Sequence, residues 1–252
     1  MLLLPRRKLI RLAAPAIILP GRSRGQMLRG VTNANPPAAA TWTLKANNVA
    51  GAQTNPTTAS MNMTGVNLIL VAATYANGTT PSLTDSVTAN NANYVNIFTV
   101  DNAASIITEF WYLYNPSVSS AQTFKMTGTN IYSSIVVQGW SGAASSPFDQ
   151  TNDNNSWTGG PPATITTGSV TVPSGELVVA VLGANDTLNT GNSYSIGSGF
   201  TIPASNGQIG KTASYYGVAM AYLEPSAATA YNPTFSAAAA VNQLTAGIAS
   251  FK

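Results

Sequence analysis

The sequence contains no cysteine and no histidine. Without cysteine the chain has no disulfide, no thiolate nucleophile and no zinc-thiolate site. Without histidine it lacks the usual general base of a serine hydrolase, the commonest metal ligand and the side chain that titrates near neutral pH. Most hydrolase mechanisms are therefore excluded, and we expect neither an enzymatic activity nor a cofactor.

Charged residues are also scarce. They make up 8% of the chain, against about 25% in an average soluble domain. Threonine, serine, asparagine, alanine and glycine are abundant instead, while valine, isoleucine, leucine and aromatic residues recur throughout, which distinguishes the chain from a disordered one. We interpret this composition as that of a rigid β protein with a surface of hydroxyl and amide groups. The length of 252 residues is sufficient for one large sandwich core.

Short runs of apolar and β-branched residues are separated by asparagine, glycine, serine and proline along most of the chain. The run at residues 66–74 (VNLILVAAT) is almost continuously apolar and predicts a central strand buried on both faces. A polar stretch at residues 145–162 predicts a long loop between two groups of strands. The predicted strands are residues 41–45, 66–74, 83–88, 94–100, 106–114, 123–126, 132–140, 163–172, 176–182, 194–202, 213–223, 233–237 and 243–251.

About twelve strands without a convincing helix predict an all-β fold, a jelly-roll-like antiparallel β-sandwich preceded by an extended N-terminal arm. We assign residues 1–36 to the arm and its linker, and residues 37–252 to a single sandwich domain. Two predicted strands begin alike, at Thr64-Gly65-Val66-Asn67-Leu68 and at Ser174-Gly175-Glu176-Leu177-Val178. These two starts suggest equivalent strands of two half-sandwiches, although the match is too short to establish a repeat.

Charge is distributed very unevenly along the chain. The segment from Met1 to Arg29 carries seven of the eleven basic residues and none of the eight acidic ones. The remaining chain has four lysines and eight carboxylates, so the formal charges of the two parts are +7 and −4. The sequence therefore combines a basic, apolar arm with a mildly acidic body that is almost uncharged.

The arm could be an export signal, a membrane span or a nucleic-acid-binding segment, but the sequence supports each of these three functions less well than a contact with a partner protein. An export signal is opposed by Pro15 within the short apolar run 12–19 and by the lack of a small-residue cleavage site before Arg22. A membrane span needs about 20 apolar residues, whereas residues 9–19 are only eleven and include Arg11, so we expect no span. Nucleic-acid binding would use the clustered cations on phosphates, but the interleaved leucine, isoleucine and proline residues make it a less favoured interpretation.

We favour an anchoring arm that lies extended in a groove of a partner protein. Prolines at positions 5, 15 and 20 hold such a segment in extended geometry, and its leucines and isoleucines would promote aggregation unless a partner buried them. The residues that we assign to this contact are Leu4, Arg6, Arg7, Lys8, Arg11, Ile17, Ile18, Leu19, Arg22 and Arg24.

A series of short motifs also follows in order from Gly65 to the C-terminal residues. They are residues 67–73, 82–86, 110–114, 138–143, 146–150, 175–179, 197–201 and 249–252. Their order and spacing, over about three quarters of the chain, resemble a jelly-roll-like β-sandwich domain of phage structural proteins and of bacterial surface proteins. The arm is similar to the Leu/Pro/Arg-rich N-termini that serve as attachment peptides on phage tail, collar and fibre proteins.

The two resemblances imply a non-enzymatic virion structural protein, either a capsid decoration, a collar protein or a tail or fibre component. It would attach through residues 1–29 to a portal, tail, collar or capsid protein, and the resemblance favours a homo-oligomer, in particular a trimer. The alternative is a secreted or cell-surface carbohydrate-binding β-sandwich module.

Two candidate sites remain in the body. Trp157, beside Gly159-Gly160-Pro161-Pro162, could either stack on a ligand such as a host glycan or pack over the edge of the sandwich. The other three tryptophans are expected in the core; they are Trp42, Trp111 and Trp140.

The second candidate is an oxygen-rich segment that begins at Asp149 and includes Asp153. Its carboxylate and amide groups are ligands that Ca²⁺ accepts, but the spacing does not match a calcium loop of the EF-hand type. Asparagine and aspartate clusters also form turns without a metal, which is the interpretation that we favour.

Overall fold

The structure, a computed structural model, describes residues 41–76, 78, 81–102, 105–128, 132–186, 191–210 and 216–252. The predicted arm, residues 1–36, lies outside the described residues. Within the described part the chain is all β, with no α-helix and a short 3₁₀ helix at Thr88–Asn90.

The strands of the described residues are numbered in chain order. They are β1 (Thr43–Thr54), β2 (Leu68–Ala76), β3 (Ser82–Asp85), β4 (Val95–Asn102), β5 (Ile106–Tyr114), β6 (Phe124–Thr127), β7 (Tyr132–Ser141), β8 (Phe148–Asn154), β9 (Trp157–Thr158), β10 (Ala163–Thr166), β11 (Val170–Val172), β12 (Leu177–Asn185), β13 (Tyr194–Ile196), β14 (Gln208–Ile209), β15 (Tyr216–Leu223), β16 (Thr229–Tyr231), β17 (Thr234–Ala237) and β18 (Gln243–Phe251).

Two five-stranded antiparallel sheets form the sandwich. Sheet I has the order β1-β7-β2-β5-β4, and sheet II has the order β14-β15-β12-β18-β8. Three smaller sheets lie outside them: the pair β3-β6, the pair β11-β16 and the four-stranded sheet β13-β17-β10-β9. The predicted all-β class with antiparallel sheets is confirmed, and the architecture is consistent with a β-sandwich.

The hydrophobic residues form three clusters. The central core lies between sheets I and II, the first outer core lies on the other side of sheet I, and the second outer core lies on the other side of sheet II. In β2, Leu68, Leu70 and Ala72 face the central core, whereas Ile69 and Val71 face the first outer core. The strand β12 likewise contributes to the central core and the second outer core. Both strands are almost continuously apolar because each is buried on both faces.

One end of the central core is polar. The Thr108 Oγ1 atom lies 3.1 Å from Thr74 Oγ1 and 2.7 Å from Thr245 Oγ1, and all three residues are fully buried. These hydroxyl groups surround Gly183 on β12, where a Cβ atom would overlap Thr108 Oγ1. The contact therefore links strands of both sheets and leaves no space for a side chain at Gly183.

The two halves of the sandwich share one topology. When sheet II is written from its other edge, β8-β18-β12-β15-β14, each strand corresponds to a strand of sheet I, β1-β7-β2-β5-β4. The pair β3-β6 corresponds in the same way to β13-β17. The spacing of corresponding strands along the chain is almost constant: β2 and β12 begin at positions 68 and 177, β5 and β15 at 106 and 216, and β7 and β18 at 132 and 243. The strands that begin alike in the sequence, β2 and β12, are the central strands of the two sheets.

The predicted loop at residues 145–162 is wrong in part, because it contains β8 and β9. Strand β8 was missed because its amide-rich, partly exposed residues lack apolar alternation, yet it pairs with β18 at the edge of sheet II. Likewise, the predicted strand 163–172 is two strands, β10 and β11, separated at Gly168, whose φ angle is +83°. The predicted strand 194–202 is shorter, because β13 ends at Ile196, and the strands β14 and β16, with two and three residues, carry too little pattern to be predicted.

Candidate functional site

All ten residues assigned to the anchoring contact belong to the arm and lie outside the described residues. Their assignment remains a prediction. The candidate residues of the body are described, and they fall into separate places on the sandwich.

Trp157 lies in the short strand β9 and is half-buried. Its backbone pairs with Ile165 of β10, and its side chain packs against the second outer core. A Cβ atom at Gly159 would lie 3.4 Å from Trp157 Cζ3, so the glycine leaves room for the ring. The ring thus packs over the outer sheet, and only its remaining exposed part is available to a ligand.

Asp149 and Asp153 lie on the edge strand β8 rather than in a turn. Four residues of strand separate their Cα atoms by about 13 Å. Asp149 forms an ion pair with Lys252, and the hydrogen bond from Lys252 is the main cause that lowers the pKa of the Asp149 carboxyl. Burial raises the pKa of Asp153. The two carboxylates are therefore not neighbours, and the described residues contain no group of three or more acidic side chains placed to hold a metal.

A series of amides on β8 is the feature that sequence reasoning missed in this segment. Gln150 Nε2 donates to the Thr171 carbonyl, and Gln150 Oε1 accepts from the Thr171 amide at 3.3 Å. Asn152 Nδ2 donates to the Ser169 carbonyl at 3.0 Å, and Asn154 Nδ2 donates to the Thr166 carbonyl at 3.1 Å. The only signal in the sequence is an amide at every second position, which matches the period of a strand.

A buried aspartate in the first half of the sandwich accepts four hydrogen bonds. Asp85 Oδ2 accepts from Asn90 Nδ2 at 2.8 Å, from Tyr94 Oη at 3.0 Å and from Gln122 Nε2 at 2.6 Å. Asp85 Oδ1 accepts from the Val87 amide at 2.8 Å. Burial and the adjacent carboxylate raise the pKa of Tyr94, so the phenol keeps the proton that it donates.

The second half contains a similar group around Asp186. Its carboxylate accepts from Asn192 Nδ2 at 2.8 Å and from the Tyr194 hydroxyl. Burial raises the pKa of Tyr194 well above its ordinary value, with the charge of Asp186 as the next cause. Asn192 also exchanges two hydrogen bonds with the backbone of Ala239, as Asn90 does with the backbone of Ser117.

Glu176 is the buried acidic residue with an unsatisfied oxygen. It precedes β12 and is 6% exposed, and its Oε2 atom has no hydrogen-bond partner. Burial is the main cause that raises its pKa, and the charge of Asp149 adds to this, while Ser250 and Lys252 act in the opposite direction.

The outer face of β4 and β5 is only partly covered. Its side chains form cross-strand pairs: Asn96 lies opposite Trp111, and Thr99 lies opposite Glu109. The third pair is Asp101 and Ile107. We call these six side chains the open strip. Asn96, Thr99 and Asp101 are exposed, whereas the three residues of β5 are half-buried.

Glu109 connects the two strands of the open strip. The Thr99 hydroxyl lies 3.2 Å from Glu109 Oε1 and 3.5 Å from Asn96 Oδ1, so its proton can serve either acceptor. Tyr75 of β2 interacts with the same carboxylate. Burial raises the pKa of Glu109, although the bonds from Tyr75 and Thr99 lower it.

The core prediction for the tryptophans holds for two of the three. Trp42 and Trp140 are buried, at 4% and 0% exposure, and their rings meet edge to face. Trp111 is instead half-buried on the outer face, where it packs against the edge of the first outer core. Both faces of β5 carry apolar residues, so the sequence alone could not tell which face of the strand is open.

The corresponding face of the second half is closed. Counted from the starts of β5 and β15, Glu109 and Trp111 correspond to Ala219 and Ala221, which are fully buried in the second outer core. The four-stranded sheet β13-β17-β10-β9 covers this face, because its residues Ile165, Tyr194 and Phe235 belong to the same core cluster as the two alanines. The open strip is therefore specific to the first half.

No family model, curated protein or solved structure matches the chain. In the part of the chain that the structure describes, no apolar helix reaches the length needed to cross a membrane.

Proposed function

We propose that this chain is a non-enzymatic structural protein of a bacteriophage particle, attached through its arm and displaying the β-sandwich outward. The observation that carries the proposal is the segregation of charge and hydrophobicity. The segment from Met1 to Arg29 holds seven cations and no carboxylate, whereas the rest of the chain has a formal charge of −4. A segment so rich in cations, leucine and isoleucine is suited to a protein groove that buries it.

The chemistry of the body supports a structural role. Asp85 and Asp186 are buried, and asparagine and glutamine side chains donate hydrogen bonds to their carboxylates. Asp149 is paired with Lys252. These acids stabilise loops and strand ends, which suits a rigid domain that is displayed. The proposed partner is a portal, tail, collar or capsid protein, and the proposed assembly is a homo-oligomer with a trimer favoured.

The experiment compares particles made with the full chain and with a chain that begins at Asn35. We expect the shortened chain to yield a soluble body with the circular dichroism spectrum of a β protein, and only the full chain to be found in purified particles by mass spectrometry. Normal incorporation of the shortened chain would overturn the proposal.

Two arm variants identify the type of contact. Replacing Ile17, Ile18 and Leu19 by serine keeps every charge, whereas replacing Arg6 and Arg7 by glutamine keeps every apolar residue. A groove that buries apolar side chains predicts that the serine variant is lost from particles. If instead the arm binds nucleic acid, the glutamine variant is lost, and affinity falls by roughly one log unit per log unit of salt for each phosphate contacted. Native mass spectrometry of the full chain would report the copy number.

A further inference from the structure

The open strip on β4 and β5 combines the side chains that a sugar-binding surface needs. Trp111 supplies a half-buried indole, and Asn96 and Thr99 supply an exposed amide and hydroxyl. Glu109 supplies a carboxylate two residues from Trp111, a distance of about 7 Å along the strand. An aromatic ring stacks on the C–H face of a sugar, while amide and carboxylate groups bind its hydroxyls.

The polar groups of the strip are already held in position. Glu109 accepts a hydrogen bond from Thr99 and interacts with Tyr75, and the Thr99 hydroxyl also lies within reach of Asn96. Trp111 packs against the first outer core, which limits its rotation. Groups that are fixed before binding lose less conformational entropy when a ligand arrives.

The charge of the strip restricts the ligand. Strands β4 and β5 contain two carboxylates, Asp101 and Glu109, and no lysine or arginine. The neighbouring strand β2 has no charged residue. An anionic ligand would therefore meet only like charge at this face.

Because the corresponding face of the second half is closed, the fold does not require an open strip at this position. The same strand position is filled there by Ala219 and Ala221 beneath a covering layer, and the sandwich is complete. The first half instead has a half-exposed tryptophan beside a carboxylate at these positions. We propose that the open strip is a binding site for a neutral oligosaccharide, which stacks on Trp111 and is hydrogen-bonded by Glu109, Thr99 and Asn96. This inference uses residues of the body alone and does not depend on the proposed role of the arm.

The test uses the full chain and three neutral probes: cellohexaose, chitohexaose and mannohexaose. Binding is measured by saturation-transfer NMR and calorimetry, with sialyllactose and a lysine-rich peptide as charged comparisons. We expect at least one neutral hexamer to bind and neither charged probe to bind. The proposal is overturned if no neutral hexamer binds, or if the peptide binds in their place.

Variants locate the site on the sandwich. Trp111→Ala should weaken binding by about tenfold or more, and Glu109→Gln should weaken it to a smaller extent. Asn96→Ala provides a variant that does not risk the fold, because Asn96 is exposed, and it should also weaken binding. Trp157→Ala is the matched control on the second half and should bind as the wild type does. Binding that survives both Trp111→Ala and Asn96→Ala, or that is abolished by Trp157→Ala, would place the sugar elsewhere.

Discussion

The two halves of the sandwich have the same strand order and differ in what covers them. Each half has a long apolar strand at the centre of its sheet, β2 or β12, and a buried aspartate bonded to an asparagine and a tyrosine. In the second half a four-stranded sheet and the pair β11-β16 supply further cover. In the first half the corresponding small sheet has two strands, β3 and β6, and the face of β4 and β5 remains accessible.

This difference shows which features the fold requires in both halves and which features can vary between them. The central core needs two apolar sheet faces, and both halves provide them with the same strands. The outer faces are free to diverge, since alanines beneath a covering sheet and a tryptophan at the surface are both compatible with the same topology. Residues that differ between the halves are therefore better candidates for binding than residues that they share.

The largest expected effect tests whether the two aspartate groups are equivalent. Asp85→Ala removes the acceptor of three side-chain donors, two of them fully inside the fold, and Asp186→Ala does the same to Asn192 and Tyr194. Each change should lower the free energy of unfolding by about 4 kcal/mol, because buried donors without partners are costly. For a chain of this size, the thermal midpoint should fall by roughly 10 °C.

Asp101→Asn, a change at an exposed carboxylate, is the control for these two variants and should leave the midpoint almost unchanged. A large loss in one aspartate variant and none in the other would show that the two groups do not have equivalent roles.

A smaller effect is expected where the two sheets meet. Gly183→Ala places a Cβ atom against Thr108 Oγ1 and 2.6 Å from Thr74 Oγ1. We expect a loss of about 2 kcal/mol in chemical denaturation, which is typical of overpacking in a core. Adding Thr108→Ala should recover part of the loss, and the double-mutant cycle measures the coupling of the two sheets. Gly197→Ala is the control, since a Cβ atom there would meet nothing within 4 Å. Equal losses in the two glycine variants would contradict this account.

The sequence was sufficient for the elements whose pattern is local. The apolar runs of β2, β7, β12 and β18 were predicted because each pairs within a sheet that is buried on at least one face. Strand β8 was not predicted, because its amides bind a distant backbone segment at residues 166–171 instead of contributing to a core.

The aspartate groups and the open strip depend on long-range contacts. Asp85 accepts a hydrogen bond from Gln122, which lies 37 residues away in the sequence. No local sequence pattern predicts that contact. Trp111 lies in a strand with apolar residues on both faces, so its exposure depends on which outer layers cover sheet I. The β-propensity of its residues predicts such a strand but does not predict which of its two faces is exposed to solvent.

The smallest predicted effect concerns the start of each central strand. Asn67 immediately precedes β2, and Glu176 occupies the corresponding position before β12. The Asn67 amide is satisfied by the backbone of Ala143, with hydrogen bonds of 2.9 and 3.2 Å, whereas Glu176 Oε2 is buried without a partner. Glu176→Gln gives the second half an amide at this position. The Glu176→Gln variant should have a higher free energy of unfolding at pH 7 than the wild type. The gain should be smaller than the loss caused by Gly183→Ala.

The pH dependence distinguishes this effect from a simple change in packing. Because the pKa of Glu176 is raised in the folded protein, the folded state binds its proton more tightly than the unfolded chain does. The stability that this tighter proton binding provides is fully present below the unfolded pKa of about 4.3. It is lost as the pH rises through the pKa of Glu176 in the folded protein. The advantage of the glutamine variant should therefore appear at neutral pH and vanish in acid, as measured by urea unfolding at pH 4 and pH 7. A difference that is the same at both pH values would mean that packing, and not the buried charge, distinguishes Glu176 from Asn67.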